Sequence, residues 1–286
     1  MTPHRQSILD QLVELSEINA HPPDLIHTAL LLAAIDQPPF SLDPFQRHFL
    51  SLVNEVKEFA GDADSLNAPL DLRRMALSEV ITRRHGYNCA RFAFDDPDGC
   101  DLTKVIRTRS GHPVMLTLLY LAVLRKIGWH ADIIDLKPHL FIRLENSRGR
   151  LIIDAAHSGQ VMDISALRAF IKSTAGLDQE IKWQQFQGLT DGGLLIRLQQ
   201  TRSACWLERG NLEQASQPLI AALLVFPETA MLWRECGLLQ VRLGQTAGAI
   251  QSLERWRQLD DDPGHDPDTL KTLHQLKLSS APGTPT

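Results

Sequence analysis

One apolar segment constrains the fold of this chain more than any other feature. Residues 113–127 are apolar at 11 of 15 positions, and these positions lie around the whole circumference of a helix. Pro113 suits the first helical position, where an N–H would be unpaired anyway, and Gly128 suits a left-handed stop after Arg125 and Lys126. The segment therefore predicts a helix that is buried on all sides.

Three short runs of alternating or β-branched residues follow this helix and predict strands over 131–136, 139–145 and 150–154, with a turn at 146–149. If the aliphatic faces of the last two strands are buried together, Glu145 and Arg150 flank the turn as an opposite-charge pair. His139 then lies across from or diagonal to Asp154, with Cβ atoms roughly 5 to 8 Å apart.

The segments before this region predict helices separated by proline. Apolar spacing indicates helices over 7–18, 23–35 and 44–60, and a fourth over 71–84 that ends at Gly86. A loop rich in Asp, Gly and Pro follows over 94–101. We expect residues 1–88 to pack on a core formed by 89–189.

The last third of the chain is repetitive. A shift of 34 residues superimposes Gly210 on Gly244 and Ala215 on Ala249, which is the period of a helical hairpin. The glycines suit turns, and the alanines allow two helices to approach closely. Helical repeats over 190–278, closed by a capping helix over 268–278, and a disordered tail over 279–286 are predicted.

Composition excludes several classes of protein. With 286 residues, 43% of them hydrophobic, the chain has enough apolar surface for a sizeable core and about two domains. Its 29 Lys and Arg against 34 Asp and Glu give a net charge of −5, which does not favour nucleic acid as a partner. The longest nearly apolar run, 113–124, falls short of the roughly 20 residues that cross a bilayer. The first residues carry no apolar signal core, so a cytoplasmic protein without a membrane partner is expected.

Common cofactor motifs are absent from the sequence. It contains no H-E-x-x-H, no G-x-x-x-x-G-K and no G-x-G-x-x-G, and its four cysteines form no C-x-x-C pair. We therefore expect no cofactor and no metal.

His139 and Asp154 are the first candidate site residues. A carboxylate that accepts a hydrogen bond from one imidazole nitrogen fixes the tautomer and leaves the other nitrogen free as a base or acid. Such a pair is also common as a structural feature, because two residues without a third specify no reaction.

Three segments in fixed order carry a resemblance to a known family: RTRSGHPVMLTLLYLAVLRKIG, then KPHLFIRL, then LIIDAAHSG. They resemble the bacterial SirB family, whose members join a transglutaminase-like core to C-terminal tetratricopeptide repeats. The resemblance implies an α+β fold with a papain-like or transglutaminase-like core and a small antiparallel sheet. It also implies that His139 and Asp154 match two members of a catalytic triad.

The third triad position is altered. In the superfamily the buried helix begins with a cysteine nucleophile, and the resemblance places Pro113 there. Without a thiol beside the imidazole, covalent acyl transfer lacks its first step. Three residues are alternatives for the nucleophile: Cys89, Cys100 and Ser110, of which Ser110 is more simply explained as the cap of the helix.

Other polar residues surround the same segments. His112 and His157 would form, with His139 and Asp154, a set of metal ligands if the four converged, but their spacing matches no known site. Arg109 lies before the helix, where an arginine could bind an anion or peptide carboxylate.

The preferred hypothesis is a non-catalytic adaptor that binds a protein or peptide in the bacterial cytosol, using the degenerate pocket and the repeats. The alternative is a cysteine or serine hydrolase, deamidase or acyltransferase that uses His139 and Asp154 with a relocated nucleophile. The third hypothesis is that this is a purely structural domain. The partner and the oligomeric state are left open by the sequence.

Overall fold

The computed structural model describes residues 3–17, 24–35, 37–61, 68–89, 95–175 and 188–280. The chain divides into two compact units, one formed by residues 20–198 and the other by residues 1–19 together with 199–286. The fold class is α+β, as predicted, with the strands gathered in a single sheet of the first unit.

The helices and strands of the described residues have the following bounds. The helices are α1 Pro3–Glu17, α2 Leu25–Ala34, α3 Asp43–Phe59, α4 Leu70–Leu77, α5 Leu102–Thr108, α6 Pro113–Ile127, α7 Ile164–Ala175, α8 Asp191–Glu208, α9 Leu212–Val225, α10 Ala230–Arg242, α11 Thr246–Leu259 and α12 Pro267–Ser280. The strands are β1 Ala131–Leu136, β2 His139–Asn146, β3 Gly149–Asp154, β4 Gln160–Val161 and β5 Gly188–Leu189.

Helix α6 is the centre of the first unit, as its sequence predicts. It begins at Pro113, and Gly128 ends it with a left-handed φ of 85°. Leu118, Leu121 and Leu124 have no exposed surface. Contacts with α2, α3, β1 and β2 surround the helix, so its uniform apolar character is explained by burial on every side.

The sheet is antiparallel, with strand order β4-β3-β2-β1-β5. The predicted register between β2 and β3 is present: Glu145 pairs with Arg150, and their side chains form an ion pair of 3.1 Å. The short edge strands β4 and β5 have two residues each and were not predicted.

Helix α7 covers one face of the sheet, and the sequence analysis assigned no element to it. Its Leu167 and Ile171 are buried against Ile134, Leu136 and Phe141 of β1 and β2. Leu167 and Ile171 are four residues apart, and this apolar spacing predicts a helix.

The N-terminal part of the first unit follows the predicted helices closely. The predicted helix over 71–84 is α4 continued by a π-helical stretch, Ser78–Arg84, and ends at Gly86 with φ of 75°. Apolar spacing does not distinguish the wider π turn from an α turn over so few residues. The described part of the loop over 94–101 contains one 3-10 turn, Pro97–Cys100.

The second unit contains two helical hairpins related by 34 residues. The N–H of Asn211 donates to the carbonyl of Trp206 at 2.9 Å, and the equivalent N–H of Gln245 donates to Gln240 at 2.9 Å. Gly210 and Gly244 have nearly the same positive φ, 72° and 71°. The four helices α8 to α11 therefore repeat the same turn geometry at the spacing found in the sequence.

Gly237 of α10 provides a close approach that the sequence analysis did not identify. A Cβ atom at this position would lie 2.6 Å from Cδ2 of the fully buried Leu253 of α11 and 3.3 Å from its backbone nitrogen. Together with the buried Ala215 and Ala249, it shows why small residues recur in this unit.

The ends of the second unit differ from the sequence expectation. Helix α1 contacts α9 and belongs to this unit, whereas the sequence analysis assigned residues 1–88 to the core of the other one. Periodicity shows which face of a helix is apolar but not which surface covers it. Helix α12 continues to Ser280, and the rest of the predicted tail, 281–286, lies outside the described residues.

Among the helices that the structure describes, none combines the length and the apolar character required to cross a membrane.

Candidate functional site

His139 and Asp154 lie together, as the predicted hairpin register requires, and are the centre of the candidate site. His139 is the first residue of β2 and Asp154 is the last residue of β3, and the hairpin register places them diagonally. Nε2 of His139 lies 3.0 Å from Oδ1 of Asp154. The carboxyl side chain is buried, so this hydrogen bond is shielded from water.

Asp154 also holds the turn that follows β3. Its Oδ2 lies 2.8 Å from Nδ1 of His157, and its Oδ1 accepts from the backbone N–H groups of Ala156 at 2.9 Å and His157 at 3.3 Å. Burial alone would raise the pKa of Asp154, but the hydrogen bond with His139 and the contacts with His157 outweigh it, so the pKa is lowered. The carboxyl group is therefore ionised at neutral pH.

Aromatic rings pack around the imidazole of His139. The ring of Phe141 lies 4.8 Å away between centroids, and the ring of Phe170, from α7, lies 5.7 Å away. Phe170 is a site residue that sequence reasoning missed, because α7 itself was missed. The rings restrict the orientations open to this imidazole.

The start of α6 is the second part of the candidate site. Pro113, at the position that the sequence resemblance assigns to a cysteine, carries neither a nucleophile nor an N–H. The N–H of Val114 donates to Nδ1 of His112 at 3.3 Å, and the N–H groups of Met115 and Leu116 donate to the His112 carbonyl at 2.9 and 3.2 Å. The first-turn donors that would stabilise an oxyanion are already satisfied by His112.

His112, and not Ser110, caps this helix, which corrects the simpler of the two sequence interpretations of Ser110. The imidazole of His112 caps the first turn. Ser110 lies three residues before Pro113 and is buried, with only 3% of its surface exposed. No described residue hydrogen-bonds the Ser110 hydroxyl. Burial, together with the charges of His139 and Arg197, lowers the pKa of His112 to about 4, so its Nδ1 accepts at neutral pH.

Cys89 is one of the alternative nucleophiles, and backbone pairing brings its neighbour in sequence to the segment before α6. Asn88, the residue before it, pairs with the segment that leads into α6: its N–H donates to Arg109 at 3.0 Å, and its carbonyl accepts from Gly111 at 3.1 Å. Burial and then the negative charge of Asp154 raise the pKa of the Cys89 thiol to about 12. A catalytic thiol needs the opposite shift, towards the thiolate.

Cys100 is the last residue of the 3-10 turn, and only 2% of its surface is exposed. Such burial favours a small apolar role for its thiol.

Arg109 takes part in a different cluster. Its backbone is left-handed, with φ of 59°, and its guanidinium lies 4.9 Å from the centre of the Tyr87 ring. The same group contacts the hydroxyl of Tyr87 and Nε2 of His48. These contacts involve Nη1 of Arg109, and binding of an anion or peptide carboxylate by this guanidinium stays a prediction.

Three of the four residues considered as metal ligands converge. The ligand atoms of His139, Asp154 and His157 lie within 4.8 Å of one another, whereas His112 is not part of this group.

Comparisons with known proteins agree with the fold. Residues 43–200 match the sequence model of a family described as the transglutaminase-like superfamily. Two relatives from Xylella fastidiosa, strains Temecula1 and 9a5c, are each called a UPF0162 protein. Each is 23% identical over 238 residues, which cover 82% of this chain and 83% of the relative. The crystal structure of menin, described as revealing its binding site for Mixed Lineage Leukemia protein, covers 96% of this chain and 78% of menin. Its sequence identity is 12% and its TM-score 0.44.

Proposed function

The chain belongs to the transglutaminase-like superfamily, and we propose that within it this protein is a non-catalytic member that binds a protein or peptide partner. The proposal rests on the residues at the start of α6. Pro113 replaces the nucleophile, and the peptide N–H groups of the first turn are bound to His112. Both halves of the acyl-transfer machinery, attack and oxyanion stabilisation, are lost at one place.

The state of Cys89 supports the loss of catalysis. A thiol with a pKa near 12 carries almost no thiolate at neutral pH. The negative charge of Asp154, which would assist an imidazolium, acts against ionisation of this sulfur. The retained pair of His139 and Asp154 then serves to hold the turn after β3.

The surface beside that pair supports binding. His157 has 68% of its side chain exposed while its Nδ1 is fixed by Asp154, so it presents an oriented polar group. Val161 on the edge strand β4 and Ile164 at the start of α7 are exposed by 40% and 65%. Exposed apolar side chains beside a fixed polar group suit an extended peptide added at a sheet edge.

The assignment to a family within the superfamily follows the sequence resemblance. Within the superfamily we place the protein with the SirB family, as an adaptor of the bacterial cytosol whose C-terminal hairpins are tetratricopeptide repeats. The support is the 34-residue spacing shared by the sequence and by the backbone hydrogen bonds at Asn211 and Gln245. Stacked helical hairpins provide a second contact surface for a partner.

The loss of catalysis is tested by amine incorporation and by covalent labelling. We expect the purified protein to incorporate no fluorescent primary amine into a glutamine-containing acceptor above the level of His139→Ala. We also expect intact-mass spectra after treatment with thiol-directed and serine-directed electrophiles to show no adduct that depends on His139. An adduct on Cys89, Cys100 or Ser110 that disappears in His139→Ala would instead establish the hydrolase or acyltransferase alternative.

Binding is tested with peptides selected from a random display library on the intact chain, with a chelator present. We expect Ile164→Glu to weaken the selected peptides at least tenfold in fluorescence anisotropy, because a charge replaces an apolar contact. Leu278→Glu is the matched control, since Leu278 is exposed by 66% on α12. Equal affinity of both variants, or no selectable peptide, would contradict the proposed surface.

A further inference from the structure

We infer that His139, Asp154 and His157 form a binding site for a divalent ion of the zinc type. The inference goes beyond the proposed function, because peptide binding at Val161 and Ile164 does not require an ion. It is based on the convergence of two imidazoles and one carboxylate in the described residues.

The spacing of the ligand atoms is close to that of a zinc site. Nitrogen and oxygen ligands about 2.0 to 2.2 Å from a tetrahedral ion lie roughly 3.3 Å from one another. Nδ1 of His157 lies 2.8 Å from Oδ2 of Asp154, and the ligand atoms of all three residues lie within 4.8 Å of one another. A small outward movement of the two rings would admit an ion between them.

The rings already approach from different directions. The centroids of the His139 and His157 rings are 6.2 Å apart, with 41° between the ring planes. The angle between the planes shows that the two rings are not stacked in parallel. The arrangement of two histidines and one aspartate also matches the donor types that zinc accepts.

The carboxylate is held in place by the backbone. Oδ1 of Asp154 accepts from the N–H groups of Ala156 and His157, while Oδ2 contacts only the His157 ring among the described residues. Hydrogen bonds of this kind orient a metal ligand and limit its reorganisation on binding. Oδ2 is therefore the oxygen that would bind the ion.

Access to the site comes from the side of His157. This side chain is 68% exposed, whereas those of His139 and Asp154 are 14% and 7% exposed. An ion bound by three protein ligands at the protein surface keeps at least one coordination position open for water or a partner group, as in open zinc sites.

A second group with similar donors provides an internal comparison. His130, Asp132 and Glu145 also lie with their ligand atoms within 4.8 Å. There, however, the guanidinium of Arg143 contacts Asp132 and lies 3.8 Å from Glu145. A fixed cation beside both carboxylates opposes a divalent ion, so we expect no tight site in that group.

The experiment is a Zn²⁺ titration of chelator-treated protein, followed by calorimetry and by competition with a chromophoric chelator. We expect one ion per chain, an affinity at least tenfold weaker in His157→Ala, and an affinity within twofold of the wild type in His130→Ala. His157 is exposed, so its replacement is not expected to unfold the chain, which circular dichroism checks. No uptake at micromolar Zn²⁺, or equal affinity in His157→Ala and wild type, would overturn the inference.

Co²⁺ absorption identifies the ligands independently of affinity. We expect ligand-field bands without a thiolate charge-transfer band, because the three ligands are nitrogen and oxygen. A thiolate band would place the ion on one of the free cysteines and would also overturn the inference. Because the peptide-binding assay contains a chelator, failure here is distinguishable from failure of the proposed function.

Discussion

Replacing Asp154 with alanine is expected to lower the free energy of unfolding by about 3 kcal/mol, because charge-assisted hydrogen bonds each contribute about 1.5 to 3 kcal/mol. The carboxylate contacts the imidazoles of His139 and His157 and accepts two backbone N–H groups of the following turn. Alanine leaves these donors without their acceptor, and one of them, His139, is largely shielded from water. The measurement is urea denaturation at neutral pH.

Asp132→Ala is the matched control for this prediction. Asp132 is also an aspartate of the sheet, but its side chain is 30% exposed and it forms an ion pair with Arg143. Water reaches both side chains of this partly exposed pair, so we expect the pair to contribute less than about 1 kcal/mol and the control to unfold close to the wild-type urea concentration. If both variants lost the same stability, the network around Asp154 would have no special structural role.

The second large effect is a loss of stability on acidification, to which His112 contributes. Burial and the charges of His139 and Arg197 place its folded pKa at about 4, below the 6.5 of an unperturbed histidine. Between these two values the unfolded chain binds a proton at His112 that the folded chain does not bind. Stability therefore falls as the pH decreases through this window, by about 2 kcal/mol for this group by pH 5.

His112→Asn isolates this contribution. Asparagine can accept from the N–H of Val114 and remains a good N-cap, but it does not titrate. We expect the loss of unfolding free energy between pH 7.5 and pH 5 to be about 2 kcal/mol smaller than in the wild type. Replacement of the exposed His274 by Asn should leave the loss unchanged, and an equal pH dependence of all three proteins would contradict a neutral, partly buried His112.

His48 adds to the same acid sensitivity. Burial, then the charges of Arg109 and His85, lower its pKa to about 4, although the nearby Glu55 acts in the opposite direction. The wild type should therefore lose more stability than His112 alone accounts for, and part of the loss should remain in His112→Asn.

The hairpin and its histidine–aspartate pair were predictable because the constraints are local. Alternation fixes which strand residues share a face, and a short turn between two strands fixes the pairing of Glu145 with Arg150. The diagonal position of His139 and Asp154 follows from that register. His157 was named as a candidate, but its contact with Asp154 depends on the backbone of the following turn, where Ser158 has a positive φ of 59°.

The surroundings of the pair were not predictable in the same way. Phe170 reaches His139 only because α7 packs on the sheet. The raised pKa of Cys89 comes from burial and then from the charge of Asp154, which is distant in sequence. The identity of the helix cap depended on the path of the chain before α6. Each of these features depends on a contact between segments that are far apart in the sequence. Apolar periodicity does not show which distant segments meet.

The amino-acid sequence by itself determined the buried helix α6, the pairing of β2 with β3 and the 34-residue period, since each follows from apolar spacing and turn residues along a continuous segment. Tertiary structure decided that α1 joins the C-terminal helices, that His112 satisfies the first-turn N–H groups of α6 and that two histidines share the Asp154 carboxylate. The physical reason is the range of the interactions, because local propensity fixes the direction of a side chain while packing between distant segments selects its neighbour.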